Sequence, residues 1–180
     1  MSALDIETRN LKLVPHAPGH LRALIRGPEA YAQSFGSQPA DGLRDFIVSK
    51  DVSPDWLAQL EASTAADPWT HGFGLVHSAS GTVIGFGGFK GPPGADGIVE
   101  IAYGVVPDYQ GKGYATEAAQ ALVAYAFTSG RVRVVRAHTL PELNASTRVL
   151  AKCGFRHIAE VKDPEDGVLW RWEHQNEAAT

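Results

Sequence analysis

The chain has 180 residues, 44% of them hydrophobic, and a formal net charge of −4, which suits one compact domain with a real core and argues against a fibrous or disordered chain. That charge gives no reason to expect nucleic acid as a partner, and no apolar stretch approaches the roughly 18–20 residues needed to cross a membrane. The single cysteine, Cys153, excludes an intramolecular disulfide and reads as a buried packing thiol; with an N-terminus unlike a signal peptide, it points to a reducing, cytoplasmic setting.

Leu11, Lys12 and Leu13 alternate before Pro15 and predict a short first strand. From about Gly19 to Phe35, Leu21, Leu24, Ile25 and Tyr31 follow a helical period broken at Gly27-Pro28. Residues 36–54 are rich in Gly, Pro, Ser and Asp and read as loop. Ser53 and Pro54 then suit the cap and first residue of a helix through Trp56, Leu57 and Leu60. Segments 73–77 and 82–86, joined through Ala79-Ser80-Gly81, predict a hairpin, and 98–106 predicts a long third strand stopped by Pro107. Ala115, Ala118, Ala119, Leu122 and Ala126 predict a helix over 113–129, ended by Gly130. Then come a strand over 131–138, a helix over 144–153 ended by Gly154, and a closing hairpin of 155–162 with 168–174. The expected fold class is α+β: a single domain over 1–180, its core about 8–174 and a polar tail 175–180, with a mixed, mostly antiparallel central sheet flanked by helices.

The strand–turn–helix at 106–118 carries the chemistry. Backbone N–H groups at a helix start lack intrahelical partners and point outward with the positive end of the helix dipole. Gly111 and Gly113 permit unusual dihedrals and close approach of a ligand, and Lys112 adds positive charge. Together these suit a pyrophosphate. A Walker loop is excluded, because no Gly-Lys-Ser/Thr stands at the required spacing. The dinucleotide fingerprint fails at Thr116, where a third Gly or Ala belongs, and no acidic residue follows about twenty residues on.

Gln110-Gly111-Lys112-Gly113-Tyr114-Ala115 resembles the Gln/Arg-x-x-Gly-x-Gly/Ala signature of the GNAT superfamily of N-acetyltransferases. Glu100-Ile101-Ala102-Tyr103, Pro107 and Thr116-Glu117-Ala118 look like the branch containing ribosomal-protein-alanine N-acetyltransferases. Residues 144–155 are similar to that branch's Asn-x-x-Ser…Lys-x-Gly-Phe helix. The resemblance covers roughly residues 8–173 and is densest over 98–155. It implies a GNAT-like domain whose long strand and next parallel strand splay apart around acetyl-CoA as co-substrate. The pantetheine would pair with the backbone of Tyr103, Val105 and Val106, and the pyrophosphate would contact Gln110, Gly111, Lys112, Gly113, Tyr114 and Ala115. The strand–helix–strand unit of 98–138, read independently as a parallel crossover, also puts a ligand at the strand carboxyl ends.

The activity implied is direct acetyl transfer to a primary amine, of a small molecule or a protein N-terminus, in a ternary complex. A non-catalytic CoA-binding regulatory or interaction module is the alternative. Acetyl transfer needs a deprotonated amine, a donor for the oxyanion and a proton for the leaving thiolate. A backbone N–H near Val105 is the expected oxyanion donor. Glu100, mid-strand among apolar residues, is the expected base; facing the cleft, its pKa would rise on burial, while pairing with an arginine or facing solvent is the bland reading. Counting back from Gly154-Phe155, the family's tyrosine acid falls on Leu150, which cannot donate. Ser146 is the remaining candidate, although first-turn hydrogen bonding explains it equally well. Asn144 is expected both to cap its helix and to contact pantetheine.

No metal site is expected, since Pro18 and Gly19 separate His16 from His20. Trp170 and Trp172 share a strand face and read as core or interface, and Arg131, Arg133 and Arg136 as a solvated edge. Asp41, Asp45, Asp51 and Asp55 hint at a cationic acceptor, a solvated acidic face being the commoner explanation. No nucleic-acid or membrane partner is expected, and homodimer formation is left open.

Overall fold

The computed structural model describes residues 5–47, 54–63 and 65–177. Asp51 and Ser53, the expected helix cap, lie outside the described residues, as do the terminal positions 1–4 and 178–180. The chain runs β1 (Ile6–Glu7), β2 (Leu11–Pro15), α1 (Pro18–Arg26), α2 (Pro28–Phe35), α3 (Leu43–Ile47), α4 (Pro54–Ala62), α5 (Pro68–His71), β3 (Phe73–His77), β4 (Thr82–Phe89), β5 (Ile98–Val105), α6 (Tyr114–Thr128), β6 (Val134–Thr139), α7 (Ala145–Lys152), β7 (Arg156–Asp163) and β8 (Gly167–Gln175). Proline opens α1, α2, α4 and α5, where its missing N–H would have had no helical acceptor anyway. Among the described residues no helix is long and apolar enough to cross a membrane.

The strands form one mixed sheet in the order β1-β2-β3-β4-β5-β6-β8-β7. Only β5 and β6 run parallel among the described strands. Strand alternation separates two faces. One presents Leu11, Leu13, Phe73, Leu75, Val99, Ile101 and Val105, all buried, and α6 lies across it against β2, β4 and β5. The helix meets the sheet through Ala118, Ala119, Leu122 and Ala126, which expose no surface. Burial of that apolar face, not intrinsic helix propensity, is what holds α6 in place. On the opposite face α2 stacks Tyr31 on Phe35, and His16 at the end of β2 closes the ring cluster.

Some elements differ from expectation. The stretch 36–54 is not all loop: it holds α3, anchored by the fully buried Leu43. The short α5 is capped by Asp67, whose Oδ1 accepts from the Trp69 N–H at 3.1 Å. β6 begins at Val134 and not at 131, because the N–H groups of Arg133 and Val134 both donate to Gly97 O, at 2.8 and 3.2 Å. Arg131 and Arg133 are exposed, as expected for solvated groups, but β6 is an interior strand and not an edge, and all three arginines have partners. Arg131 lies over the Trp69 ring, Arg133 Nε donates to Asp96 O at 2.6 Å, and Arg136 makes two bonds to Glu173 Oε2 at 2.8 and 2.6 Å. Trp172 is a core residue whose Nε1 donates to Thr139 Oγ1, whereas the half-buried Trp170 donates to Glu160.

Glu117, in the first turn of α6, ties the N-terminal strands to that helix. Its carboxylate accepts from Thr8 Oγ1 at 2.7 Å and from the backbone N–H and Nδ2 of Asn10, each at 3.1 Å. Charge-assisted bonds of this kind are stronger than neutral ones. Glu117→Ala is expected to lower the unfolding free energy by about 1–3 kcal/mol, and Glu117→Gln by less, as read from urea denaturation.

Candidate functional site

β4 pairs with β5 from Phe89↔Ile101 to Gly85↔Val105. β6 pairs with β5 only from Ile98↔Val134 to Glu100↔Arg136, and then follows β8 to Thr139. Beyond Glu100 the two parallel neighbours part. The Val106 N–H donates to Ile84 O at 2.8 Å and the Lys90 N–H to Glu100 O at 2.9 Å, which sets the phase of the β4–β5 ladder. Antiparallel alternation then turns the amide groups of Tyr103 and Val105 away from β4, toward the side that β6 has left. Gln110 Nε2 donates to Val105 O at 2.8 Å, at one end of the opening.

A cavity of about 430 Å³ lies there. Of the residues expected at the site, Tyr103, Val105, Gln110, Gly111, Gly113, Tyr114, Ala115 and Ser146 line it together. Gly111 and Gly113 have φ of +76° and +86°, and a Cβ on either would meet nothing within 4 Å. Glycine is therefore needed for the left-handed backbone, and the space above it is open to a ligand. The first main-chain bond of α6 runs from the Glu117 N–H to Gly113 O at 3.1 Å, so the N–H groups of Tyr114, Ala115 and Thr116 precede the helical ladder. Tyr114 is held from behind, its hydroxyl 3.0 Å from His77 Nε2.

Four expected residues are not among those lining the cavity. Val106 is fully buried, with its N–H on Ile84 O and its O accepting from the Tyr109 N–H at 3.0 Å. The Lys112 ammonium sits 5.5 Å from the centre of the Tyr109 ring. Asn144 caps α7, its Oδ1 accepting from the Thr147 N–H at 3.0 Å while its own N–H donates to Thr147 Oγ1 at 2.9 Å. That reciprocal box accounts for the residue type. Glu100 falls on the sheet face opposite α6.

α7 supplies the far wall through Ala145, Arg148, Val149 and Lys152, one helical stripe by the i, i+3, i+4, i+7 rule. Arg148 and Lys152 bring two positive charges to which the sequence reading gave no role; helical spacing from Ser146 leads to Val149, Leu150 and Cys153 and would not have found them. Leu150, at the place expected for a tyrosine acid, is 1% exposed and belongs to the core. That place is therefore not on the cavity wall, whereas Ser146 is.

Glu100 sits in a charged array. Its Oε2 lies 2.9 Å from Lys90 Nζ and 3.0 Å from His138 Nδ1, and Arg171 Nε donates to His138 Nε2 at 3.2 Å. The Arg171 bond uses the lone pair of His138 Nε2, leaving Nδ1 to donate to Glu100. Burial pushes the Glu100 pKa up, but hydrogen bonds from His138 and Lys90, with their charges, outweigh it and the net shift is downward. The upward shift expected for a carboxylate facing the cleft is thus reversed. His138 was not foreseen, because only the β5–β6 register brings it to Glu100.

Residues 10–156 match the family model described as an acetyltransferase (GNAT) domain. The uncharacterized N-acetyltransferase p20 of Bacillus licheniformis is 32% identical over 93 residues, 52% of each chain. The chain spans about half the length of the curated relatives it matches. Among solved structures, the ribosomal L7/L12 alpha-N-protein acetyltransferase RimL in complex with coenzyme A superposes with a TM-score of 0.66 at 17% identity, covering 97% of this chain and 99% of that one. RimJ of Mycobacterium smegmatis, in complex with a CoA disulfide, gives 0.62 at 21% identity over 93% and 83%. Gly113→Glu is expected to abolish acetyl-CoA binding measured by titration calorimetry, with Gly113→Ala weakening it less, since both strain the backbone but only one adds negative charge. Unchanged binding in Gly113→Glu would remove this turn from the site.

Proposed function

Because the chain belongs to the GNAT acetyltransferase family, we propose that it transfers acetyl from acetyl-CoA directly to a primary amine, of a small molecule or a protein N-terminus, in a ternary complex. The observation that carries this reading is the parting of β5 from β6 beside the glycine turn at the start of α6. In it, the pyrophosphate takes the N–H groups at the start of α6, with Arg148 and Lys152 meeting the remaining phosphate charge. The pantetheine then runs back along β5, pairing with the Tyr103 C=O and the Val105 N–H. Entering at the Val105 end, it brings the thioester toward the junction of the two strands. The Tyr103 N–H stands nearer that junction than the Val105 N–H, and takes the oxyanion role in place of it.

In the transfer itself a C–N bond forms, the C–S bond breaks, the amine loses a proton and the thiolate of CoA gains one. Glu100 receives the amine proton through a water, with Lys90 and His138 fixing the carboxylate. A depressed pKa keeps it ionised through the neutral range, its charge being lost only as pH falls through that lowered value. Ser146 is the proposed donor to the thiolate. Tyr103 also lines the cavity, and its hydroxyl stays protonated, since burial first and the neighbouring Cys153 second push its pKa up. Cys153 is no nucleophile in this scheme. Burial pushes its thiol up to about 11, and Sγ lies 3.6 Å from Thr116 O.

Thiol release from acetyl-CoA with a panel of amines separates a transferase from a binding-only module. Glu100→Gln is expected to lower kcat by about tenfold or more, most strongly at low pH where deprotonated amine is scarce, while acetyl-CoA affinity is kept; an unaltered pH–rate profile removes Glu100 from the chemistry. Cys153→Ala is expected to retain full activity, and its loss in a folded variant would point to a covalent acetyl-enzyme.

A further inference from the structure

Three residues on the sheet face opposite α6 stand in one row across three strands. The β5–β6 register sets Arg136 directly beside Glu100, and the β6–β8 register sets Glu173 on the other side of Arg136. Registered partners project from the same face, so this arginine has a carboxylate one strand away on either hand. It takes only one of them. Arg136 Nε and Nη2 both donate to Glu173 Oε2, at 2.8 and 2.6 Å, and among the described residues its ion pair is with Glu173 alone.

The contacts that Glu100 does receive leave one of its oxygens uncommitted. Lys90 and His138 both meet it at Oε2. Oε1 has no hydrogen-bond partner among the described residues, on a side chain that keeps 21% of its surface exposed. The remaining charged groups of this face are engaged elsewhere. Arg171 Nε donates to His138 Nε2, and Asp163, at the end of β7, accepts the N–H groups of Glu165 and Asp166 on its Oδ1. An arginine on Glu100 would change this. A guanidinium pairs with a carboxylate through two parallel N–H bonds, one to each oxygen. That would fill Oε1 and lower further a proton affinity already reduced. Both effects work against a base.

We propose that Glu173 is a positioning residue for acetyl transfer: by holding Arg136, it keeps Oε1 of Glu100 free as the atom that takes the amine proton. The inference rests on the base role given to Glu100 above and adds the residue that guards it. The amine N–H bond breaks as a water takes the proton, and that water passes one of its own to Oε1, while Oε2 stays with Lys90 and His138. Glu173 touches none of the reacting atoms. It acts by competing for one cation. The Arg136 and Glu173 side chains are only 24% and 13% exposed, so an Arg136 released by Glu173 would be a half-buried charge in need of a partner, and Glu100 is the carboxylate in register with it.

The test is a rescue. Glu173→Gln replaces the carboxylate by a neutral acceptor, so Arg136 is expected to turn to Glu100. The kcat for thiol release from acetyl-CoA should then fall roughly tenfold, with the acid limb of the pH–rate profile moved to lower pH and acetyl-CoA affinity unchanged. Adding Arg136→Gln should restore kcat to within about twofold of the parent, and Glu173→Asp, which keeps a carboxylate, should retain most of it. The acceptors are alaninamide, phenethylamine and spermidine, the fastest of them being carried through the series. Independently of turnover, the Glu100 carboxyl signal in carbon NMR of the full chain, assigned by its absence in Glu100→Gln, should titrate at lower pH in Glu173→Gln and return in the double variant. A Glu100 titration unmoved or raised by Glu173→Gln, or a loss of kcat that the second substitution does not restore, overturns the proposal. The expected titrations with no thiol release from any of the three amines would uphold the pairing and overturn the base role of Glu100, and with it the use assigned to Glu173.

Discussion

Two parallel strands that begin as hydrogen-bonded neighbours and then separate are the constraint on which the rest of this molecule depends. Backbone amides must be satisfied wherever they are buried, so strands part only if each keeps a partner on its far side. Here β4 holds β5 along its whole outer half, and β8 holds β6 to its end. The sheet stays continuous at its floor and opens above Glu100 without stranding either strand. The α6 turn lies at one end of the gap, α7 forms its wall, and Ala102 of the same β5 stretch lines a second cavity beside α5.

Charge is arranged locally and not by the sum over the chain. A net charge of −4 conceals a cavity whose α7 wall carries Arg148 and Lys152, and a sheet face on which Lys90, Glu100, His138 and Arg171 are joined in series and Arg136 is paired with Glu173. The series matters for Glu100. With a cation and a histidine N–H on one carboxylate oxygen, the group is fixed in place as well as kept ionised. In the base role proposed above, Glu100 would act through its placement and not through an elevated proton affinity.

Much of this was legible from residue order. Pro28 breaking the first helical run, the Gly81 hairpin, the Pro107 stop and the alanine stripe of α6 all mark local physics, and local physics leaves signs in sequence. The glycine turn was legible for the same reason: Gly111 and Gly113 adopt a backbone that other residues resist. What stayed hidden depends on register or on tertiary packing. His138 meets Glu100 only because β5 pairs with β6 three residues deep, and Leu150 could be assigned to core or cavity only once α7 was rotated onto the sheet. α5 did carry a sign in Asp67-Pro68, a capping residue before a proline, but four residues show no periodicity.

The Glu117 carboxylate has a consequence for how readily the glycine turn can hold an anion. Freezing a loose helix end during binding costs conformational entropy, which subtracts from affinity. In this protein the first turn of α6 is already moored to Thr8 and Asn10 on one side, and Tyr114 to His77 beneath it. The N–H groups of Tyr114, Ala115 and Thr116 are thus presented by a scaffold assembled during folding, so the ordering cost is met before any ligand arrives. The first two strands, far from the chemistry in sequence, serve as its foundation.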